Sequence, residues 1–157
     1  MKRYFARKDL LASIKGDLAN ISKEFADILP ENVEVVEMKG NKYVIGESGV
    51  LVFGSQKGFF PTVKGALLIE DKEKRTVVVD KGAISFVING ADIMRPGVVK
   101  WDVGIKKGDY VIIREETHSK AIGIGEALWD GSEFEGKATG KCVKSLYFVG
   151  DDVWKMG

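Results

Sequence analysis

The chain has 157 residues, 45% hydrophobic and 30% charged, which suits one compact domain or two small ones with ample apolar material for a core. Lys and Arg number 24 against 23 Asp and Glu, a net charge of +1, and residues 1–75 and 76–157 hold 13 basic with 11 acidic and 11 basic with 12 acidic side chains. Proteins that grip nucleic acid by counterion release usually carry a clear basic excess, so this balance argues against a broad basic face, and any such contact is expected to be local and shape-directed.

No apolar run approaches the roughly 20 residues that span a bilayer, so no membrane segment is expected. The opening MKRYFARKDL has no apolar stretch behind its charges, which argues against a secretory signal. The single cysteine, Cys142, leaves no disulfide framework and no Cys-based zinc site, and fits a reducing cytoplasm.

In chain order, the clearest element is a helix over residues 10–29. Leu11, Ile14, Leu18, Ile21, Phe25 and Ile28 recur at spacings of 3, 4, 3, 4 and 3, one apolar stripe that Pro30 ends. Asp9 or Ser13 is the candidate cap. Strands are predicted over 33–38 and 42–45, joined by a turn at Lys39-Gly40-Asn41, and over 50–53. A polar loop at 54–58 leads into Phe59-Phe60-Pro61-Thr62, where the paired rings mark a buried anchor or an exposed partner contact. Residues 63–68 read as a short helix with Pro61 near its start. The charge run 70–75, EDKEKR, reads as a solvated connector and places a domain boundary, with domains 1–75 and 76–157.

The second half reads as strands over 76–79, 110–114, 121–128 and 141–149, with glycines punctuating the intervals, the pattern of a small barrel. Within it, residues 77–97, VVVDKGAISFVINGADIMRPG, demand a tight strand, short helix and second strand. Gly82 and Gly90 permit close approach of backbone or ligand, and Pro96-Gly97 signals a turn.

The residues offer little for catalysis. His118 is the one histidine and lies in hairpin-turn composition; Cys142 lies among apolar strand positions as a buried filler; Asp151-Asp152 reads as a turn or cap. Gly123-Ile124-Gly125 begins like a nucleotide-binding loop but lacks the third glycine and sits in a strand pattern, where glycine marks a bulge or barrel corner. No catalytic residue, metal site or cofactor is expected. For binding, Lys81, Arg95, Lys100, Lys106, Lys107 and Lys141 supply charge, and Phe59, Phe60, Tyr110, Tyr147 and Trp154 supply rings. On residues alone this is a binding module of unspecified ligand.

Several segments in order resemble the PUA domain, the RNA-binding module of pseudouridine synthases and archaeosine transglycosylases. They are Asp80-Lys81-Gly82-Ala83, Asn89 to Met94 with Pro96-Gly97, Lys107-Gly108-Asp109-Tyr110-Val111, residues 121–125, Gly136-Lys137-Ala138, Gly140-Lys141, and the run from Tyr147 to Trp154. The upstream Phe59-Phe60-Pro61-Thr62-Val63 resembles the aromatic-Pro-Thr segment of the malignant-T-cell-amplified-sequence translation factors, and archaeal stand-alone PUA proteins share that layout. The resemblance implies an α+β protein, with a small N-terminal α/β domain followed by a C-terminal PUA β-pseudobarrel. It implies an RNA surface of Lys81, Gly82, Ala83, Gly90, Ala91, Asp92, Arg95, Pro96, Gly97 and Lys141, with Lys81 and Arg95 neutralising phosphates. The implied role is non-enzymatic, contacting tRNA or small-subunit ribosomal RNA in translation initiation or recycling. A protein partner would be engaged through the N-terminal domain, with Phe59 and Phe60 as candidate contacts. The alternative is an accessory RNA-targeting subunit of a tRNA- or rRNA-modifying enzyme.

Overall fold

The computed structural model describes residues 1–157, which fold as two units, 1–70 with 152–157, and 71–151. The first unit is built on an antiparallel sheet in simple chain order: β1 (Lys2–Phe5), β2 (Glu34–Met38), β3 (Asn41–Gly46), β4 (Gly49–Ser55) and β5 (Gly58–Pro61). Met38 pairs with Asn41, so the β2–β3 turn is only Lys39 and Gly40, at φ 52° and 82°. Two successive left-handed residues make a turn whose twist matches that of the strands. Strand β1 has no alternating pattern to announce it. It is held by register with β2, Tyr4 opposite Val35, and by an Arg3 Nε to Glu34 Oε2 contact of 2.8 Å.

The periodic segment forms two helices rather than one, α1 (Lys8–Ile21) and α2 (Lys23–Ala26). Ser22 breaks them because it is extended, at φ −164° and ψ 159°, and its hydroxyl accepts the Phe25 N–H at 3.2 Å. Serine competes in this way with the helical ladder by capping a new start. The stripe is still buried across the break, with Ile14, Leu18 and Phe25 at 0% exposure. Neither candidate cap is used. Arg7 occupies the N-cap position without a side-chain bond, and Asp9 lies in the first turn, where its charge favours the helix dipole.

Phe60 lies inside this unit, 1% exposed, edge-on to Phe25 at 5.9 Å and Phe53 at 6.3 Å. Pro61 ends β5, and Thr62 starts α3 (Val63–Ala66): its hydroxyl accepts the Gly65 N–H at 3.2 Å and donates to the Val50 carbonyl. The chain end forms α5 (Asp152–Lys155) against β4, with the Lys64 ammonium 5.0 Å from the Trp154 ring centre.

The second unit contains β6 (Thr76–Val79), a 3₁₀ turn (Lys81–Ala83), α4 (Ile84–Val87), β7 (Ile93–Met94), a 3₁₀ turn (Arg95–Gly97), β8 (Val98–Trp101), β9 (Tyr110–Glu115), β10 (Ala121–Ala127) and β11 (Lys141–Phe148). Their order is β7-β11-β10-β9-β6-β8, antiparallel except for β6 with β9, and the sheet curls into a pseudobarrel around Val77, Ile105, Ile113, Phe134 and Val143. Gly123 and Gly125 stand at register shifts in β10. A Cβ on Gly125 would meet the Lys144 carbonyl oxygen at 2.7 Å, so the absent side chain lets β11 pass closely.

The 70–75 run is ordered rather than merely solvated. Asp71 accepts the Glu73 and Lys74 N–H groups at 2.8 and 3.2 Å, its carbonyl meets the buried Arg114 guanidinium, and Arg75 reaches the Tyr110 carbonyl at 3.0 Å. No helix is long and apolar enough to cross a membrane.

Candidate functional site

Between β6 and β8 the chain makes two tight turns, and the residues around them enclose the site. The Asp80 carboxylate accepts the Ala83 N–H at 2.9 Å and so starts the first turn. Helix α4 is a single turn, too short to bury every apolar residue of the 83–88 segment. Val87 turns inward at 1% exposure, while Phe86 stays 65% exposed. Gly90, at φ +86°, reverses the chain; a Cβ there would stand 3.0 Å from the Phe148 ring and would also be strained.

A cavity of about 430 Å³ lies between these turns, within the roughly 300–1,000 Å³ usual for small-ligand sites. Its walls are small or apolar, among them Gly82, Ala83, Phe86, Ala91, Met94 and Pro96, and the ionisable groups on it are two carboxylates, Asp80 and Asp92. Asp92 is fixed from both sides: Oδ2 lies 2.9 Å from the Lys141 ammonium, and Oδ1 accepts the Ser145 N–H at 2.8 Å. The Lys141 hydrogen bond foremost, with the Ser145 N–H, holds this carboxyl below its ordinary range.

Six of the anticipated residues, Gly82, Ala83, Ala91, Asp92, Pro96 and Gly97, line the cavity together. Gly90 shapes the turn behind it, Lys141 joins through Asp92, and Lys81 is exposed, its N–H donating to Glu116 Oε1 at 2.9 Å. Arg95 is placed differently from the phosphate cation expected of it. Its Nε donates to the Phe134 carbonyl at 2.6 Å, its Nη1 to the Val98 carbonyl at 3.0 Å, and the guanidinium sits 4.8 Å from the Trp101 ring centre. It therefore clamps the pseudobarrel. Trp101 in turn stacks on Phe134, and Trp129 meets the same ring edge-on, each at 5.5 Å.

Of the two rings considered as partner contacts, Phe60 has no accessible surface to offer, while Phe59 is half-buried beside Gly54. His118 is exposed in the β9–β10 turn. Cys142 is fully buried, its Sγ 3.4 Å from the Ile93 carbonyl, and burial pushes the thiol up to about 11. No three His, Cys, Asp or Glu side chains gather as a metal site would require.

The exposed Phe86 and Met94 escaped the sequence reading. For Phe86 the available signal was an apolar segment longer than one helical turn can bury.

A curled mixed sheet with a cavity at its first strand–helix junction defines the class, and residues 75–147 match the PUA domain family. The chain is 38% identical over 155 residues to an uncharacterized protein of Methanocaldococcus jannaschii, covering 98% of this chain and 95% of that one. It is 35% identical over 85 residues to translation machinery-associated protein 20 of Saccharomyces cerevisiae, about half of either chain (50% and 47%). Against malignant T-cell-amplified sequence 2 of Mus musculus it is 26% identical over 161 residues, covering 91% and 86%. The solved structure of a hypothetical protein from Pyrococcus horikoshii superimposes with a TM-score of 0.87 at 31% identity, over 98% of both chains. The chain belongs to the PUA-domain proteins, homologous to the uncharacterized archaeal protein and to the malignant-T-cell-amplified-sequence and translation machinery-associated proteins.

Proposed function

We propose that this chain is a non-enzymatic RNA-binding protein of translation, contacting tRNA or small-subunit ribosomal RNA in initiation or recycling through the surface of residues 80–97. The observation that carries the reading is the cavity of about 430 Å³ between the two turns, walled by small residues and by the exposed ring of Phe86. Sequence-specific proteins take hold of single-stranded RNA by drawing out unstacked bases against such rings, at roughly 1–3 kcal/mol per stacked base. The exposed Lys81 and Lys141 stand beside this surface to meet phosphates. A near-neutral chain with a local site of this kind accords with shape-directed contact. Membership in the PUA family and the name of the yeast relative supply the translational setting.

The test is ultraviolet crosslinking of the tagged full-length protein in cells, with sequencing of the attached RNA and sucrose-gradient sedimentation of the same extract. The expected result is crosslinked tRNA or small-subunit rRNA, crosslinked peptides from residues 80–97, and co-sedimentation with the small subunit. Exclusive co-purification with an RNA-modifying enzyme would refute the translational role and favour the accessory-subunit alternative. Phe86→Ala, at a largely exposed position, should weaken RNA binding about tenfold without lowering thermal stability.

A further inference from the structure

The first sheet has a bare edge. Strand β1 ends the order β1-β2-β3-β4-β5, with β2 as its one strand neighbour. In an antiparallel ladder each residue turns its N–H and C=O to one side, and alternate residues turn to opposite sides. Ala6 N–H donates to the Val33 carbonyl at 2.9 Å, continuing the register that sets Tyr4 opposite Val35 and Lys2 opposite Glu37. Lys2 and Tyr4 therefore bond to β2, while Arg3 and Phe5 turn their backbone groups outward. Their side chains are open too, with Phe5 72% exposed. An unpaired edge is a template for another strand, usually guarded by a bulge, a proline or charge. Strand β1 has neither bulge nor proline, and Arg3 is already bound to Glu34 through contacts of 2.8 and 2.9 Å.

Two copies of β1 can pair antiparallel about a two-fold axis only where outward residues meet outward residues. Setting Arg3 opposite Arg3 brings like charges together. Setting Phe5 opposite Phe5 does the same, because Arg3 then faces Arg7; like charges directly opposite destabilise a sheet. The register between these two has no such clash. Arg3 of each copy lies opposite Phe5 of the other, Lys2 lies opposite Ala6, and the two Tyr4 residues meet on the axis. Each Arg3–Phe5 pair exchanges its N–H···O bonds and, on one face, sets a guanidinium against a ring. On the other face the tyrosines form the close non-hydrogen-bonded pair, where aromatic neighbours stabilise the ladder.

We infer that β1 is a self-association edge, through which two copies of this chain join their first sheets into one continuous sheet in that register. A two-fold contact needs a surface complementary to itself, and residues 2–6 supply a strand that is. This self-complementarity favours a second copy over a foreign strand. The contact is small, so the association is weak and concentration-dependent. It uses residues of the first unit alone and stands apart from RNA binding.

Sedimentation equilibrium of the full-length chain without RNA, from about 5 to about 500 μM, should show the mean mass climbing from 17.2 kDa toward twice that value. Phe5→Pro removes an outward N–H and the ring but leaves the bonds to β2. The fold should persist in thermal melts, and association should weaken at least about tenfold. Oxidative crosslinking reads the register, since the one native cysteine, Cys142, is buried. Tyr4→Cys places two thiols across the axis within disulfide reach and should give a crosslinked dimer. Phe5→Cys, whose two copies stand more than about 7 Å apart, should not. A mass of 17.2 kDa at every concentration, association retained by a folded Phe5→Pro, or crosslinking through position 5 in place of position 4 would overturn the inference.

Discussion

Arg95→Ala separates two roles for one residue. As a phosphate cation it would be dispensable to the fold. In the structure its guanidinium donates to the Phe134 and Val98 carbonyls at 2.6 and 3.0 Å and lies 4.8 Å from the Trp101 ring centre. Hydrogen bonds from a charged donor contribute on the order of 1.5 kcal/mol each at the low end, fitting for a half-buried group, and the ring contact about 0.5 kcal/mol. The substitution should therefore cost about 3.5 kcal/mol or more, since both carbonyls also lose their donor. Urea denaturation followed by tryptophan fluorescence would measure it in a Trp154→Phe background. The remaining indoles, Trp101 and Trp129, both pack on Phe134 and report the unit that Arg95 clamps. A loss below about 0.5 kcal/mol, with the slope of log K against log salt for single-stranded RNA falling by about 0.7, would refute the clamp and restore Arg95 as a phosphate contact.

Gly125→Ala should destabilise the second unit by about 1–3 kcal/mol in thermal melts, because the new Cβ meets the Lys144 carbonyl oxygen and the Val143 side chain; an unchanged melting temperature would contradict the close passage of β11. Lys141 and the Ser145 N–H depress the Asp92 carboxyl from its ordinary value of 3.8. Its contribution to stability is thus complete above that value and lost as pH falls through the lower folded one. Asp92→Asn should flatten the acid limb of stability below about pH 4, and identical acid limbs in both proteins would count against the ion pair. Cys142, with its thiol pushed up to about 11 by burial, should resist a thiol reagent at pH 8 in the native chain and react once unfolded in urea. Rapid native labelling would show that the barrel opens there.

Much of the fold was legible where a periodic signal coincided with burial. The Leu11–Ile28 stripe marked the residues that α1 and α2 bury, but not the break at Ser22, which depends on a hydroxyl closing on the Phe25 N–H. Strands β9, β10 and β11 followed their apolar runs to within a residue or so. Strand β1 was invisible: four residues with no alternation acquire a conformation only by pairing with β2, some thirty residues away. Helix α4 was expected, but which of its apolar residues would face solvent was not. That choice belongs to the barrel, which receives Val87 and leaves Phe86 outside.

By itself the sequence determined the punctuation of the site. Glycine and proline at 82, 90, 96 and 97 dictate where the backbone can turn tightly or be approached closely, because those limits are set by each residue's own sterics. The ordered run of PUA segments likewise identified the family from one chain. Only the tertiary structure decided where the charges act. Arg95 and Lys141 are equally cationic in the sequence, yet the fold gives one to the carbonyls of the barrel and the other to Asp92. The sign of the cavity wall is acidic for the same reason: a long side chain's charge lies wherever distant backbone and carboxylate oxygens compete best for it, and no local pattern records that competition.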